Sequence, residues 1–436
     1  MNYQNQSQGH AAVPLIKNAA TRNSTDGPYQ GMLIVIPGGP GGSGADLLRS
    51  EGSILRTVVG SNWDIVSYDP RGIYSSEPAL SCALNASMPA AKMSQRDAVP
   101  RVSDSYYHSY LDYGKELGEN CAQRSGADTD AGPHMSTAVN ARDLVSIVDA
   151  YARSPESYDA AKNTRLLNFY AFSYGTVVGQ TFASMFPERV GNAVLDGIVN
   201  PEKYQAGWID DSINHLDEVL ALFFIYCSKA GPSLCPYATA NSSSRDTFAR
   251  FKASFTQLDA RKAEAGHWSN ATVIAEALLT LKYNILNAVY LPVTQFPNLA
   301  QILVRLEMAL RSGTLSQWTQ QTIAANGDPG PAGITDWEYL LGVACSDQSN
   351  LYQSRTLEGF RPQIQTLESQ SIIGELWLRN PLGCAGWSIK SKDVFTGRFG
   401  GNTTTPMLFL SNTYDPVTPI EKYGSILLWS KTAESC

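Results

Sequence analysis

No stretch of this 436-residue chain is a basic run, and only 17% of it is Asp, Glu, Lys or Arg. Together with a formal net charge of −7, this argues against a nucleic-acid partner, which would need a positive surface. No apolar run approaches the roughly 18–20 residues of a membrane-spanning helix, so no membrane partner is expected. The seven cysteines (Cys82, Cys121, Cys227, Cys235, Cys345, Cys384 and Cys436) form no C-x-x-C, and none stands at zinc-binding spacing from a histidine. Neither a metal nor an organic cofactor is implied. Histidine is scarce: His10, His108, His134, His215 and His267 are all there is. The opening MNYQNQSQGH lacks the basic and apolar regions of a signal peptide, so the chain reads as either not secreted or without its natural start. Six glycosylation sequons, at Asn5, Asn23, Asn85, Asn241, Asn270 and Asn402, tilt the other way when taken with the cysteines, toward an oxidising, secreted setting.

What is present is ample for one large core and a second module, with 43% hydrophobic residues. Ala11 to Lys17 is a possible edge strand, since Pro14 suits no central one. Met32 to Ile36 is a β-branched strand that runs into the glycine-rich PGGPGGSG of residues 37–44. Such a loop turns backbone N–H groups toward an anion. It lacks the Lys of a phosphate-binding P-loop, and Pro40 is out of place in a dinucleotide-binding turn. An oxyanion loop and a flexible turn are the remaining readings. Trp63 to Asp69 is a further strand followed by the turn PRGIYSS, in which Asp69 is expected to fix the turn with Arg71. Thr137 to Tyr151 is an amphipathic helix.

Leu166 to Phe172 is short, apolar and without helical period, which reads as a buried parallel strand. Ser173 follows at once, and Tyr174 to Phe186 carries apolar residues at helical spacing up to Pro187. Strand, serine and helix in this order form the layout of a nucleophile elbow; the bland alternative is a serine that caps a helix. The elbow needs small residues two before and two after the serine, and Ala171 and Gly175 meet that need. Ala193 to Val199 is the next strand. Alternation of this kind means an α/β fold, a mostly parallel sheet with helices on both faces.

From Asn200 the character changes. Trp208 to Lys229, Val273 to Val289 and Pro297 to Arg311 all repeat apolar residues at helical spacing. A helical insertion above a sheet edge usually shapes a substrate cleft as a lid. Cys227 and Cys235 flank a turn that a disulfide could close. Thr405 to Leu410 is a late strand that leads into SNTYDPVTP and places Asp415 just past its end.

Taken together, IPGGPGGSG, WDIVSYDPRGIYSSEPALSC, YAFSYGTVVGQTFASMFPERVGNAVLDGIVNP and FLSNTYDPVTP resemble the secreted tripeptidyl-aminopeptidase family of α/β-hydrolase serine peptidases, relatives of the proline iminopeptidases with a TAP-like C-terminal module. The resemblance implies an α/β-hydrolase core beginning at residues 11–200, a helical lid over 201–345 and a C-terminal part over 346–436 that completes the core. It implies Ser173 as nucleophile and Asp415 as acid. The oxyanion donors would be the Tyr174 backbone N–H and the loop around Gly39 and Gly41. The cysteines would be paired in disulfides, and the substrate would be a peptide or small acyl compound, taken by an acyl-enzyme route.

A serine hydroxyl needs a base, normally a histidine that follows the acid in an α/β-hydrolase. None follows Asp415, and Ile426 to Cys436 does not resemble the family's ending. The expectation is an impaired enzyme, a chain truncated at its end, or a lid histidine, His215 or His267, recruited instead. Asp196 at the end of the strand after the elbow is the alternative acid. An esterase or thioesterase for a small metabolite would use the same machinery, and an inactive binding protein would keep only its pocket.

Overall fold

A computed structural model describes residues 3, 5, 9–21, 25–82, 104–207, 212–326, 334–419 and 434–435. The sequons at Asn23 and Asn85, residues 426–433 of the ending, and Cys436 lie outside the described residues.

Among the described residues seven strands form one sheet: β1 (Leu15–Asn18), β2 (Gly31–Ile36), β3 (Trp63–Tyr68), β4 (Leu167–Phe172), β5 (Val190–Asp196), β6 (Met407–Leu410) and β7 (Glu434–Ser435). Their order across the sheet is β1-β3-β2-β4-β5-β6-β7. Every pairing is parallel except that of β1 with β3, so the expected edge strand is there and runs against its neighbours. β2 and β3 are buried along their whole length, as continuous apolar runs predict for strands covered on both faces. Alternate residues serve two cores. Leu33, Val35, Trp63 and Ile65 pack under α1 (Gly44–Val59) with Leu48 and Leu55. Met32, Ile34, Ile36, Val66 and Tyr68 face the larger core, which runs on into the helices above the sheet. Helices α2 (Asp104–Ser125), α3 (Thr137–Arg153) and α4 (Tyr174–Met185) complete this part.

Between Pro201 and Cys384 every described element is helical. The longer ones are α5 (Leu216–Ala230), α6 (Ser244–Phe255), α7 (Ala271–Tyr290), α8 (Pro292–Ser312), α9 (Leu315–Asn326), α10 (Ile334–Asp347) and α11 (Leu357–Gln370), and the short α12 (Arg379–Cys384) closes the series. α8 begins five residues before the expected Pro297, which the helix takes into its interior. Pro292 occupies its first turn, where a missing N–H costs nothing. No described helix is long and apolar enough to cross a membrane. Three disulfides, Cys82–Cys121, Cys227–Cys235 and Cys345–Cys384, bind the chain. One expectation is corrected. Asp69 does not pair with Arg71, whose guanidinium is held by the buried Asp143 at 2.6 Å. Asp69 instead accepts from the Ser43 hydroxyl (2.7 Å) and the Ala45 and Ser75 N–H groups, tying the glycine loop to the PRG turn.

Candidate active site

Ser173 sits between β4 and α4 with φ 52° and ψ −124°. A serine does not adopt this conformation without strain, and it does so here because the strand must turn into a helix within one residue. Two backbone bonds hold it: its N–H donates to Asp196 O at 3.0 Å, and its carbonyl accepts from the Thr176 N–H at 2.8 Å. The turn closes only because residue 175 has no side chain. A Cβ there would stand 2.5 Å from Ile36 O and 2.7 Å from Pro37 O. The serine makes no capping bond to its helix, so the bland reading of Ser173 as an N-cap does not describe it.

The β2 glycine loop passes beside it. Gly38 is the nearest approach, where a Cβ would lie 2.9 Å from Ser173 Cβ. Gly39, with φ 120°, lines the same cavity as Ser173. Gly41 is packed elsewhere, against the backbone of Tyr339 and Leu340 on α10. Tyr174 is the first residue of α4, so no carbonyl of that helix reaches its N–H.

Beneath Tyr174 lies a buried chain of polar groups. Its hydroxyl meets Thr137 Oγ1 at 2.6 Å, and Thr137 in turn donates its hydroxyl and its N–H to Asp347 (2.6 and 2.7 Å). Tyr204 donates a further bond to the same carboxylate at 2.9 Å. Burial pushes the Asp347 carboxyl up to about 6, and the bonds from Thr137 and Tyr204 stop it rising further. Glu338, also buried, is pushed up to about 7 by desolvation.

Asp415 follows β6 in a loop that folds back on itself, with the Val417 and Thr418 N–H groups donating to its Oδ1 at 2.9 and 2.7 Å. Val417 and Thr418 line the cavity of Ser173, and a Cβ at Gly197 would touch Thr418 Oγ1 at 3.1 Å and Ser173 N at 3.8 Å. The loop of Asp415 is thus brought against the elbow. Asp196, the alternative acid, receives the Tyr170 hydroxyl at 2.9 Å instead. That carboxylate beside it, after burial itself, holds the Tyr170 phenol above its usual range.

The cavity measures about 460 Å³. Helices α7, α10 and α12 and the turn before α12 roof it with Tyr283, Leu286, Leu340, Trp377, Arg379 and Asn380. None of these roof residues, nor Gly38 or Thr418, was reached from the sequence. No histidine is among the residues lining it. His134 is buried and bonded to Asp128 O, while His10, His108 and His267 are exposed. His215 is half-buried with its ring edge-on to Tyr414, next to Asp415, at 5.9 Å. No group of carboxylates, histidines and cysteines among the described residues could hold a metal ion.

Two family models match. That of the alpha/beta hydrolase fold covers residues 31–219, and that of the TAP-like protein covers residues 369–426. The tripeptidyl aminopeptidase of Streptomyces lividans is 35% identical over 209 residues, 46% of this chain and 34% of that protein. Serine protease Hip1 of Mycobacterium tuberculosis is 30% identical over 212 residues, 47% of this chain and 37% of that protein. The match thus spans about a third of each of these relatives. The Escherichia coli protein YuaR is 22% identical over 420 residues, 93% of this chain and 72% of its own.

Proposed function

We propose that the chain, which matches the alpha/beta hydrolase fold over residues 31–219 and the TAP-like protein over residues 369–426, is a peptidase-like serine hydrolase that performs acyl transfer on peptide or small acyl substrates. The strained Ser173 at the floor of a roofed cavity, with the Asp415 loop against it, carries this reading. Ser173 passes its hydroxyl proton to a base and attacks the carbonyl carbon, the Tyr174 and Gly39 N–H groups hold the oxyanion, the bond to the leaving amine or alcohol breaks as that group takes the proton, and water then hydrolyses the acyl-enzyme. Asp415 would hold a histidine base in its working tautomer and stabilise the imidazolium formed when that base takes the serine proton. A serine and its histidine act as one unit, so with no histidine lining the cavity these 436 residues should turn over on the order of 10⁴–10⁶ more slowly than a complete triad. His215, against Tyr414, is the group best placed to be recruited. The disulfides favour an oxidising, extracellular setting.

A fluorophosphonate probe tests the nucleophile. Labelling of the native protein that disappears in Ser173→Ala is the expected result, and absence of label on native protein would sink the reading. Aminoacyl arylamides compared with short acyl esters test the peptidase claim, and turnover of esters alone would make the enzyme an esterase.

A further inference from the structure

Arg379 stands in the wall of the cavity that Ser173 opens into, and acyl transfer gives it no task. It begins α12, straight after the turn Gly374–Leu378 that supplies Leu376 and Trp377 to the same wall. No carboxylate among the described residues pairs with it; the groups around it are the phenols of Tyr283, Tyr110 and Tyr106. The acids of this region have other tasks. Glu375, four residues earlier, is locked to Lys282 in a buried ion pair. Asp415 accepts from its own loop, and Tyr290 is within electrostatic reach of both Asp415 and Arg379.

A guanidinium stays charged at any working pH and offers five donors in a planar fork. Its neighbour Asn380 adds to this. The Asn380 amide oxygen already accepts from the indole N–H of Trp337 at 3.0 Å, so its free offering to a ligand is its N–H₂ group. The rest of the roof is largely apolar, with Leu286, Leu291, Leu340, Leu376 and Trp377. A fixed cation with spare donors, set in apolar walls and facing no counter-ion among the described residues, fits a carboxylate, which can take both N–H groups of the fork at once. It does not fit a substrate ammonium, which would meet a like charge in a poorly solvated place.

We propose that the cavity of Ser173 takes acyl substrates bearing a carboxylate, with Arg379 as the specificity-determining counter-ion and Asn380 as a second donor. This deepens the acyl-transfer reading and rests on it for the word substrate. It also turns the expectation for this site from a free peptide amine to an anion.

Binding to Ser173→Ala protein, measured by calorimetry, separates the charge preference from catalysis. The probes are N-succinyl-Ala-Ala amide, N-acetyl-Ala-Ala amide and Ala-Ala amide, which are anionic, neutral and cationic. The succinyl peptide should bind about tenfold tighter than the acetyl one, and the free amine weakest. Arg379→Gln in the same background should bring the three together within about twofold. Arg379→Lys should keep the order with a smaller gap, because the charge stays and the fork is lost. Thermal melting of each variant reports that it is folded, and should Arg379→Gln melt early, the Lys variant decides. Tightest binding of the free amine, survival of the preference in Arg379→Gln, an unchanged gap in Arg379→Lys, or no measurable binding of the succinyl peptide would each overturn the inference. The fluorophosphonate experiment stands apart. A labelled Ser173 without the anion preference removes only the carboxylate claim, and an anion preference without label removes only acyl transfer.

Discussion

Ser173 and Arg379 face one cavity, but the chain holds them by different means. Ser173 is fixed by backbone: a strand end, a helix start, two main-chain hydrogen bonds and a glycine pressed against the carbonyls of Ile36 and Pro37. Arg379 is fixed by side chains, in a wall of helices that also holds the ion pairs of Lys282 with Glu375 and Arg250 with Glu307. A backbone constraint leaves few alternatives to the residues that satisfy it. A wall built of side chains can be rebuilt residue by residue without moving the nucleophile. On the reading proposed above, the sheet part would carry the chemistry and the helical part the choice of substrate, and substitutions in the two should fail differently.

The largest effect is expected in the helical part. Lys282→Met leaves the Glu375 carboxylate buried without its partner, which should cost about 3–5 kcal/mol in denaturant unfolding. Replacing both, Lys282→Met with Glu375→Leu, should restore most of that loss. If the double variant is as unstable as the single one, the pair is not the keystone of that wall.

The junction of the two parts is tested by pH. The Asp347 carboxyl keeps its proton in the folded chain up to about pH 6 but loses it near 3.8 when unfolded. Stability from this group is therefore greatest below pH 4, falls as pH rises toward 6, and is level above, a change of about 3 kcal/mol. Asp347→Asn should flatten that fall in melting curves taken between pH 4 and 6. The further decline toward pH 7, which Glu338 contributes through its own raised value of about 7, should remain. An unchanged slope in the Asn variant would show that Asp347 ionises freely.

In the sheet part, Gly175→Ala should cost about 1–3 kcal/mol by forcing the elbow off Ile36 and Pro37. Unlike Lys282→Met, it should slow fluorophosphonate labelling in protein that is still folded. Equal labelling rates would mean that the turn tolerates a methyl group and that the backbone constraint is weaker than its geometry implies.

The smallest effect is expected from His215→Ala. The ring lies half-buried against Tyr414 and does not line the cavity, so stability should change by about 0.5 kcal/mol or less and the labelling rate by less than about twofold. A large drop in labelling would instead identify His215 as the recruited base.

The same contrast explains what could be read from the sequence. Ser173 was legible because a buried strand, a serine and a helix in one run leave little room for another turn, and Asp415 because it ends a late apolar strand among turn residues. The ends of β2 to β6 came within about three residues for a similar reason, since β-branched apolar runs between glycines have few other uses, whereas β1 begins four residues after the expected Ala11 and β7 was not foreseen. The helical part gave up its helices but not its site. Periodicity shows that α7 has an apolar face but not that Tyr283 and Leu286 look down on Ser173. Nothing in LWLRNPL sets Arg379 apart from any surface arginine. Asp347 was silent because its partners, Thr137 and Tyr204, lie far away in the chain. Gly38 was passed over for Gly39 and Gly41 because a row of glycines has no pattern, and only the loop's path selects the one beside the serine.

Cys345 and Cys384 join the end of α10 to the end of α12. α10 presses on the glycine loop through Gly41, and α12 carries Arg379. The bridge therefore makes the glycine loop and the wall that carries Arg379 a single mechanical frame, in which neither can shift without pulling on the other. By chain-entropy arithmetic, its 39-residue separation is worth roughly 4 kcal/mol. Both cysteines are buried, so a thiol reductant would reach them only when this frame opens, and the bridge is shielded by the very packing it holds in place.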